Sequence, residues 1–137
     1  MALRSNELMI GDWVYIHHNG KAPHHGKVTA LLSSGAVETE IDGSLALSSS
    51  VDPIPLTPEI LEKNGFKMFA LNEDEAVGFC GKWWSNDGNV MVKKFKFKYE
   101  GDMFYMSSRN SKISNIRSVH QFQHALRLVG VDKEITI

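Results

Sequence analysis

The sequence predicts an α+β fold with a small antiparallel β-unit (SH3-like), a capped helix, a three-stranded antiparallel sheet and a C-terminal helix. Three observations support this prediction. Residues 10–52 alternate short β-branched and aromatic segments with Gly, Asn and Asp turns, which is typical of a small all-β unit. Residues 57–65 carry the start and stop signals of a helix. Apolar residues recur at helical spacing between residues 119 and 129.

Length and composition indicate a folded globular chain. It has 137 residues, 42% of them hydrophobic and 23% charged, with a formal net charge of −1. We predict a β-rich SH3-like subdomain over residues 1–52 and an α+β subdomain over residues 53–137, together forming one compact unit. No apolar run approaches the roughly 18 residues that span a bilayer, and no leader opens the chain. We therefore expect a cytoplasmic protein that does not bind a membrane.

The first half is predicted to form four short strands. They cover residues 10–16, 27–32, 36–41 and 45–47. Asn19-Gly20, Gly35 and Asp42-Gly43 separate them, because these residues adopt positive φ at little cost.

The clearest helix begins after a proline-rich break at residues 52–58. Thr57 is a good N-cap, Pro58 suits the first helical position, and Glu59 suits the positive end of the helix dipole. Asn64-Gly65 provides a stop, and Phe66 is placed to fold back over the last turn.

The second half is predicted to contain a sheet and a helix. Strands are expected at residues 76–84, 89–99 and 103–106, with a hairpin turn at residues 85–88. A helix is expected to start after Ser118 and to end at Gly130. The last residues, 132–137, are predicted to form a short closing strand.

The near-zero net charge conceals a segregation of charge along the chain. Residues 1–75 have five basic and eleven acidic residues, whereas residues 76–127 have nine basic and three acidic residues. Such asymmetry indicates an anion-binding second half, or two halves with complementary surfaces.

The basic segment at residues 90–99 (VMVKKFKFKY) is the strongest candidate for a binding site. In a strand, Lys94, Lys96 and Lys98 share one face at spacings of about 7 Å, an arrangement that attracts phosphates. Nearby aromatic and basic residues add stacking and bidentate contacts. The predicted ligand-binding residues are Trp83, Trp84, Lys94, Lys96, Lys98, Arg109, Lys112, Arg117 and His120. The alternative is a half-exposed strand whose lysines are solvated and protect an edge.

No credible catalytic or metal site emerges from the sequence. The pairs His17-His18 and His24-His25 flank the Asn-Gly turn, but adjacent strand residues point to opposite faces, which favours a polar loop over a metal site. His120 and His124 share a helical face but lack the Glu of a zinc-protease motif. Cys80, the single cysteine, is better explained as a small buried residue than as a nucleophile. We predict no catalytic residues, no metal and no cofactor.

Three segments carry a resemblance to a known group of proteins: residues 7–14 (ELMIGDWV), residues 52–66 (DPIPLTPEILEKNGF) and residues 119–123 (VHQFQ). In order and spacing they resemble uncharacterised small proteins common in Bacteroidales genomes, prophages and phages. Met9, Asp12 and Phe122 depart from the Arg, Asn and Leu usual in that group. The resemblance implies a phage-associated bacterial setting and no particular chemistry.

These observations favour a non-enzymatic, phage-associated binding protein for an anionic small ligand, such as a nucleotide-derived host immune signal that it sequesters. One alternative is an accessory module that binds nucleic acid or a protein partner. A small hydrolase using His120 or Cys80 is the third interpretation. A homo-oligomer is compatible with all three.

Overall fold

The structure is a computed structural model of the chain. It describes residues 3, 7–16, 24–41, 43–48, 51–70, 72, 78–86, 90–97, 101–108, 111–131 and 134–137, with the backbone alone at residues 97, 101 and 111–114. The elements are β1 (Trp13–Ile16), β2 (His24–Leu31), β3 (Val37–Ile41), β4 (Ser44–Ser48), β5 (Val51–Pro53), α1 (Pro58–Lys63), β6 (Lys67–Ala70), β7 (Phe79–Asn86), β8 (Val90–Phe97), β9 (Gly101–Ser108), β10 (Ser111–Ile116) and α2 (Val119–Leu128).

The described elements form two five-stranded antiparallel sheets and two helices, which confirms the α+β class with sheet as the larger part. The chain groups into two compact units. Unit 1 contains residues 1–55 and 118–120, and unit 2 contains residues 56–117 and 121–137.

The sheet of unit 1 has the strand order β4-β3-β2-β1-β5. Alternate side chains of its strands are buried, as the period of a half-exposed strand requires. The core cluster consists of Leu8, Val14, Ile16, Val28, Val37 and Val51. Gly26 lies inside β2 where a Cβ atom would overlap the side chain of Ile16, so close packing explains this glycine.

Helix α1 of unit 2 begins and ends as the sequence predicts. Thr57 Oγ1 accepts a hydrogen bond from Ile60 N at 3.3 Å. At the other end Gly65 has φ of 86°, and Phe66 N donates to Leu61 O at 3.1 Å. This is the pattern of a glycine-terminated helix, which confirms both predicted boundaries.

The sheet of unit 2 has the order β10-β9-β8-β7-β6, so the predicted three-stranded sheet is in fact five-stranded. The three central strands lie where the sequence indicates them. The two edge strands are β6 (KMFA) and β10 (SKISNI), which the sequence does not predict.

Helix α2 confirms the helical spacing near the C-terminus: Phe122, Ala125 and Leu126 are buried, and Gly130 follows with φ of 78°.

The closing strand predicted at residues 132–137 is wrong for the described residues 134–137, which form no strand. The backbone of Thr136 is instead hydrogen-bonded to the side chain of Asn64. Thr136 N donates to Asn64 Oδ1 at 2.8 Å, and Asn64 Nδ2 donates to Thr136 O at 2.7 Å.

Neither helix among the described residues has the length and hydrophobicity needed to cross a membrane.

Candidate functional site

The two faces of the unit 2 sheet differ in burial. One face, which we call the buried face, carries Trp84, Val90, Val92, Phe104, Met106 and Ile116, each at most 1% exposed. The opposite face, which we call the aromatic face, carries Lys67, Phe69, Phe79, Trp83, Ser85, Met91, Lys93, Phe95, Met103, Tyr105, Ser107, Asn115 and Arg117. Strand alternation separates the two sets.

Five aromatic rings lie on the aromatic face, in one pair and one group of three. Phe69 stacks on Trp83 with ring centroids 4.5 Å apart and an interplanar angle of 22°. Phe79, Phe95 and Tyr105 come from three adjacent strands. Their centroids are 5.6 Å apart for Phe79 and Phe95, and 6.4 Å apart for Phe95 and Tyr105.

These rings remain accessible. Phe69 is 44% exposed, and Trp83, Phe79, Phe95 and Tyr105 are partly buried. Partly buried rings held by their neighbours are preorganised surfaces on which a planar group stacks with little loss of side-chain entropy.

A register shift in β7 aligns the rings. Trp83 pairs with Lys93, whereas Phe79 pairs with Phe95, so four residues of β7 span two residues of β8. Without this shift Phe79 would lie opposite Phe97. The irregularity therefore brings the Phe79 ring to Phe95, in keeping with the tendency of bulges to redirect side chains near functional sites.

The charged residues of the aromatic face are all basic. Lys93 Nζ lies 5.9 Å from the centroid of Phe79, within cation–π range. Lys67 and Arg117 are exposed, and Arg117 Nη2 lies 3.8 Å from Met103 Sδ. Among its described residues the face has no Asp or Glu, so its potential favours an anion.

Two of the predicted lysines, Lys94 and Lys96, lie on the other side of the sheet. Lys94 pairs with Phe104 and Lys96 with Asp102, so both continue the buried face beyond its apolar part. Lys94 Nζ is 3.4 Å from Asp102 Oδ2, and Lys96 is exposed. Lys98 lies outside the described residues.

The two predicted tryptophans have different surroundings. Trp83 belongs to the aromatic face, and its buried Nε1 has no hydrogen-bond partner among the described residues. Trp84 is 1% exposed. Its ring packs edge-on against Phe104 at 5.9 Å, and Nε1 donates to Glu62 Oε1 at 3.4 Å. Trp84 is therefore a core residue with no surface for a ligand.

The remaining predicted site residues are dispersed. Arg117 lies on the aromatic face. His120 is 4% exposed, and its Nδ1 lies 3.0 Å from Ser118 Oγ, which orders the first turn of α2. Lys112 is in β10 with its backbone alone described, and Arg109 lies outside the described residues.

Sequence reasoning did not select Lys93, Phe69, Phe79, Phe95 or Tyr105. Alternation along residues 90–99 could have found Lys93 as the lysine that shares a face with Phe95. Nothing in the sequence indicates that Phe69 belongs to the same sheet.

Unit 1 has a separate open groove of about 260 Å³. It is lined by Trp13, His25, Lys27, Glu40, Ile41 and Gly43. Lys27 Nζ lies 5.3 Å from the Trp13 centroid, and His25 packs on Tyr15 at 5.0 Å.

His17 and His18 lie outside the described residues, and the described residues contain no cluster of three metal-ligating side chains.

Comparison of the chain with protein-family models, curated proteins and solved structures finds no match. The aromatic face combines partly exposed rings with cations, an arrangement that suits planar, negatively charged ligands.

Proposed function

We propose that the protein is a non-enzymatic binding protein for an anionic ligand that carries nucleobases, and that this ligand lies on the aromatic face. The observation that supports the proposal is the set of five rings on one sheet face, with Lys93 among them. Bases stack on such rings regardless of sequence, since every base has a π-face.

The charges support an anion as the ligand. Lys67, Lys93 and Arg117 surround the rings, and the described part of the face has no carboxylate to repel a phosphate. Arg117 suits bidentate contact with phosphate oxygens, whereas lysine acts as a point charge.

The openness of the face favours single-stranded nucleic acid over a free nucleotide. Small-molecule sites are concave and enclose most of the ligand, whereas rings spread over β6 to β9 offer successive stacking positions along a strand. Duplex DNA hides the faces of its bases, so we expect the single strand to be preferred.

Sequestration of a small nucleotide-derived immune signal is the second candidate. It depends on the sequence resemblance to phage-associated proteins and on the charge segregation. In that case Lys94 and Lys96 would hold the anion, on the face opposite the rings. Lys98, the third lysine predicted to bind it, lies outside the described residues.

We also propose that unit 1 is SH3-like. The four-strand meander β1 to β4, with β5 paired beside β1, supports this assignment. A solution structure in which residues 51–53 do not pair with β1 would contradict it.

Fluorescence anisotropy with a labelled oligothymidylate of about ten nucleotides tests the main proposal at low salt, about 50 mM. We expect saturable binding of the single strand and much weaker binding of a duplex of equal length. The double variant Phe95→Ala/Tyr105→Ala should lose binding. Lys94→Glu/Lys96→Glu, on the opposite face, is the matched control and should retain most of it.

Other outcomes are equally informative. Loss of binding in the Lys94→Glu/Lys96→Glu variant, with binding intact in the ring variant, contradicts the assignment to the aromatic face. A mononucleotide that binds as tightly as the strand supports the small-ligand candidate instead. No binding of either probe contradicts both.

A further inference from the structure

Among the described residues, β4 forms an edge of the unit 1 sheet and pairs with β3 on one side only. Its two leucines are unusually accessible for apolar strand residues: Leu45 is 64% exposed and Leu47 is 62% exposed. They lie on one face of the strand, whereas Ala46 points to the other.

Within the described residues, this edge lacks the charge, proline or bulge that commonly prevents edge-to-edge pairing. Residues 43–48 (GSLALS) contain no charged residue and no proline, and the register with β3 is regular from Val37 to Ile41. Proteins commonly protect free edges with lysine, proline or a bulge. An unprotected edge exposes backbone groups that can pair with another strand.

The sequence of β4 is a palindrome, Ser-Leu-Ala-Leu-Ser. In an antiparallel pair of two such strands centred on Ala46, leucine lies opposite leucine, serine opposite serine and alanine opposite alanine. A two-fold interface requires this kind of self-complementarity, because the same surface is used on both subunits.

We propose that β4 pairs with β4 of a second copy of this chain, antiparallel about a two-fold axis at Ala46. The pairing joins two five-stranded sheets into one continuous sheet and covers Leu45 with Leu47 of the partner subunit. The neutral edge brings no like charges together, so the partner that fits best is the chain itself.

The register follows from the side chains. An axis at Ala46 pairs all five residues of β4 and keeps the leucines of both copies on one face. An axis shifted by one residue pairs Leu45 or Leu47 with itself and leaves part of the palindrome beyond the partner strand. The Ala46-centred register therefore buries the most apolar surface.

Sedimentation equilibrium of the full chain tests the proposal from about 5 to about 500 μM, since dimers dissociate on dilution. The average mass should rise from 15.4 kDa towards twice that value and stop there. Leu45→Lys/Leu47→Lys should stay at the mass of one chain. Leu128→Lys is the matched control, because Leu128 is 81% exposed and lies outside this edge.

Disulfide formation tests the register in a Cys80→Ser background. Ala46→Cys should cross-link into dimers on mild oxidation, whereas Ser44→Cys should not, because residue 44 faces residue 48 of the second copy. The proposal is overturned if the unmodified chain keeps the mass of one chain throughout, if Leu45→Lys/Leu47→Lys dimerises equally well, or if Ala46→Cys fails to cross-link.

Discussion

The two faces of the unit 2 sheet carry adjacent tryptophans in opposite environments. On the buried face, Trp84 is packed against Phe104 and hydrogen-bonded to Glu62. On the aromatic face, Trp83 stacks on Phe69, which is 44% exposed. Both faces carry aromatic residues, yet Trp84 and Phe104 are in the core, whereas the rings of the aromatic face are partly exposed.

The comparison shows that aromatic content does not by itself indicate a binding surface. Burial and the charges around the rings distinguish the two faces. The aromatic face combines accessible rings with Lys93, whereas the lysines of the opposite face, Lys94 and Lys96, lie beside Asp102 and have no accessible ring among their cross-strand partners.

The largest expected effect is on stability, and it differs between substitutions of Trp84 and Trp83. Trp84→Ala should lower the free energy of unfolding by about 3–5 kcal/mol, because it leaves a cavity in the core. Trp83→Ala should cost clearly less, since its ring is partly exposed. Urea unfolding followed by circular dichroism measures both. Equal losses would contradict the assignment of the two faces.

The next effect is on binding. Removal of the Phe95 or Tyr105 ring should weaken binding of oligothymidylate about tenfold, because stacking contributes about 1–3 kcal/mol per base. Fluorescence anisotropy gives the affinity. Phe104→Leu, a conservative change on the buried face, is the control and should bind as the unmodified protein does. A weaker affinity only in the control would reverse the roles of the faces.

A smaller effect distinguishes neighbouring lysines. Lys93→Ala should lower the slope of log affinity against log salt by about 0.7, as expected when one phosphate contact to a single strand is removed. Lys94→Ala should leave the slope unchanged. The measurement is a salt series of anisotropy titrations, and a larger change for Lys94 would favour the opposite face as the anion site.

The smallest expected effect is on stability and concerns the Lys94–Asp102 ion pair, which lies on the buried face beyond its apolar part. Lys94 and Asp102 are 23% and 49% exposed in their side chains, so Asp102→Asn should lower stability by less than about 1 kcal/mol. The Asp102→Asn variant should bind oligothymidylate as tightly as the unmodified protein does. Thermal unfolding at low and high salt measures the first effect, and a loss that persists in high salt would contradict a screened surface pair.

The helices could be predicted from the sequence because their signals are local. Thr57, Pro58 and Gly65 lie within one short segment, and each acts on the backbone next to it. The edge strands β6 and β10 could not be predicted, because they are short and lack a clear alternation. Their pairing with β7 and β9 forms only in the folded sheet, and the pairing of β10 is shifted by an irregularity.

The candidate site could be predicted only in part. Residues 90–99 identify the basic and aromatic strand, and alternation places Lys94 opposite to Phe95 as expected. The shift between Phe79 and Trp83 has no clear sequence signature beyond Gly81, and it determines which rings meet. The surroundings of Trp84 come from distant parts of the chain, because its ring packs on Phe104 and its Nε1 donates to Glu62 of α1.

The most direct test of the central claim uses the indole N–H signals of the three tryptophans in a ¹H–¹⁵N spectrum during titration with oligothymidylate. We expect the Trp83 signal to shift progressively and to saturate, because its ring lies on the aromatic face. The Trp84 signal should stay in place, since its ring is in the core. An unchanged Trp83 signal under saturating ligand, or a shift confined to Trp13, would contradict binding on the aromatic face.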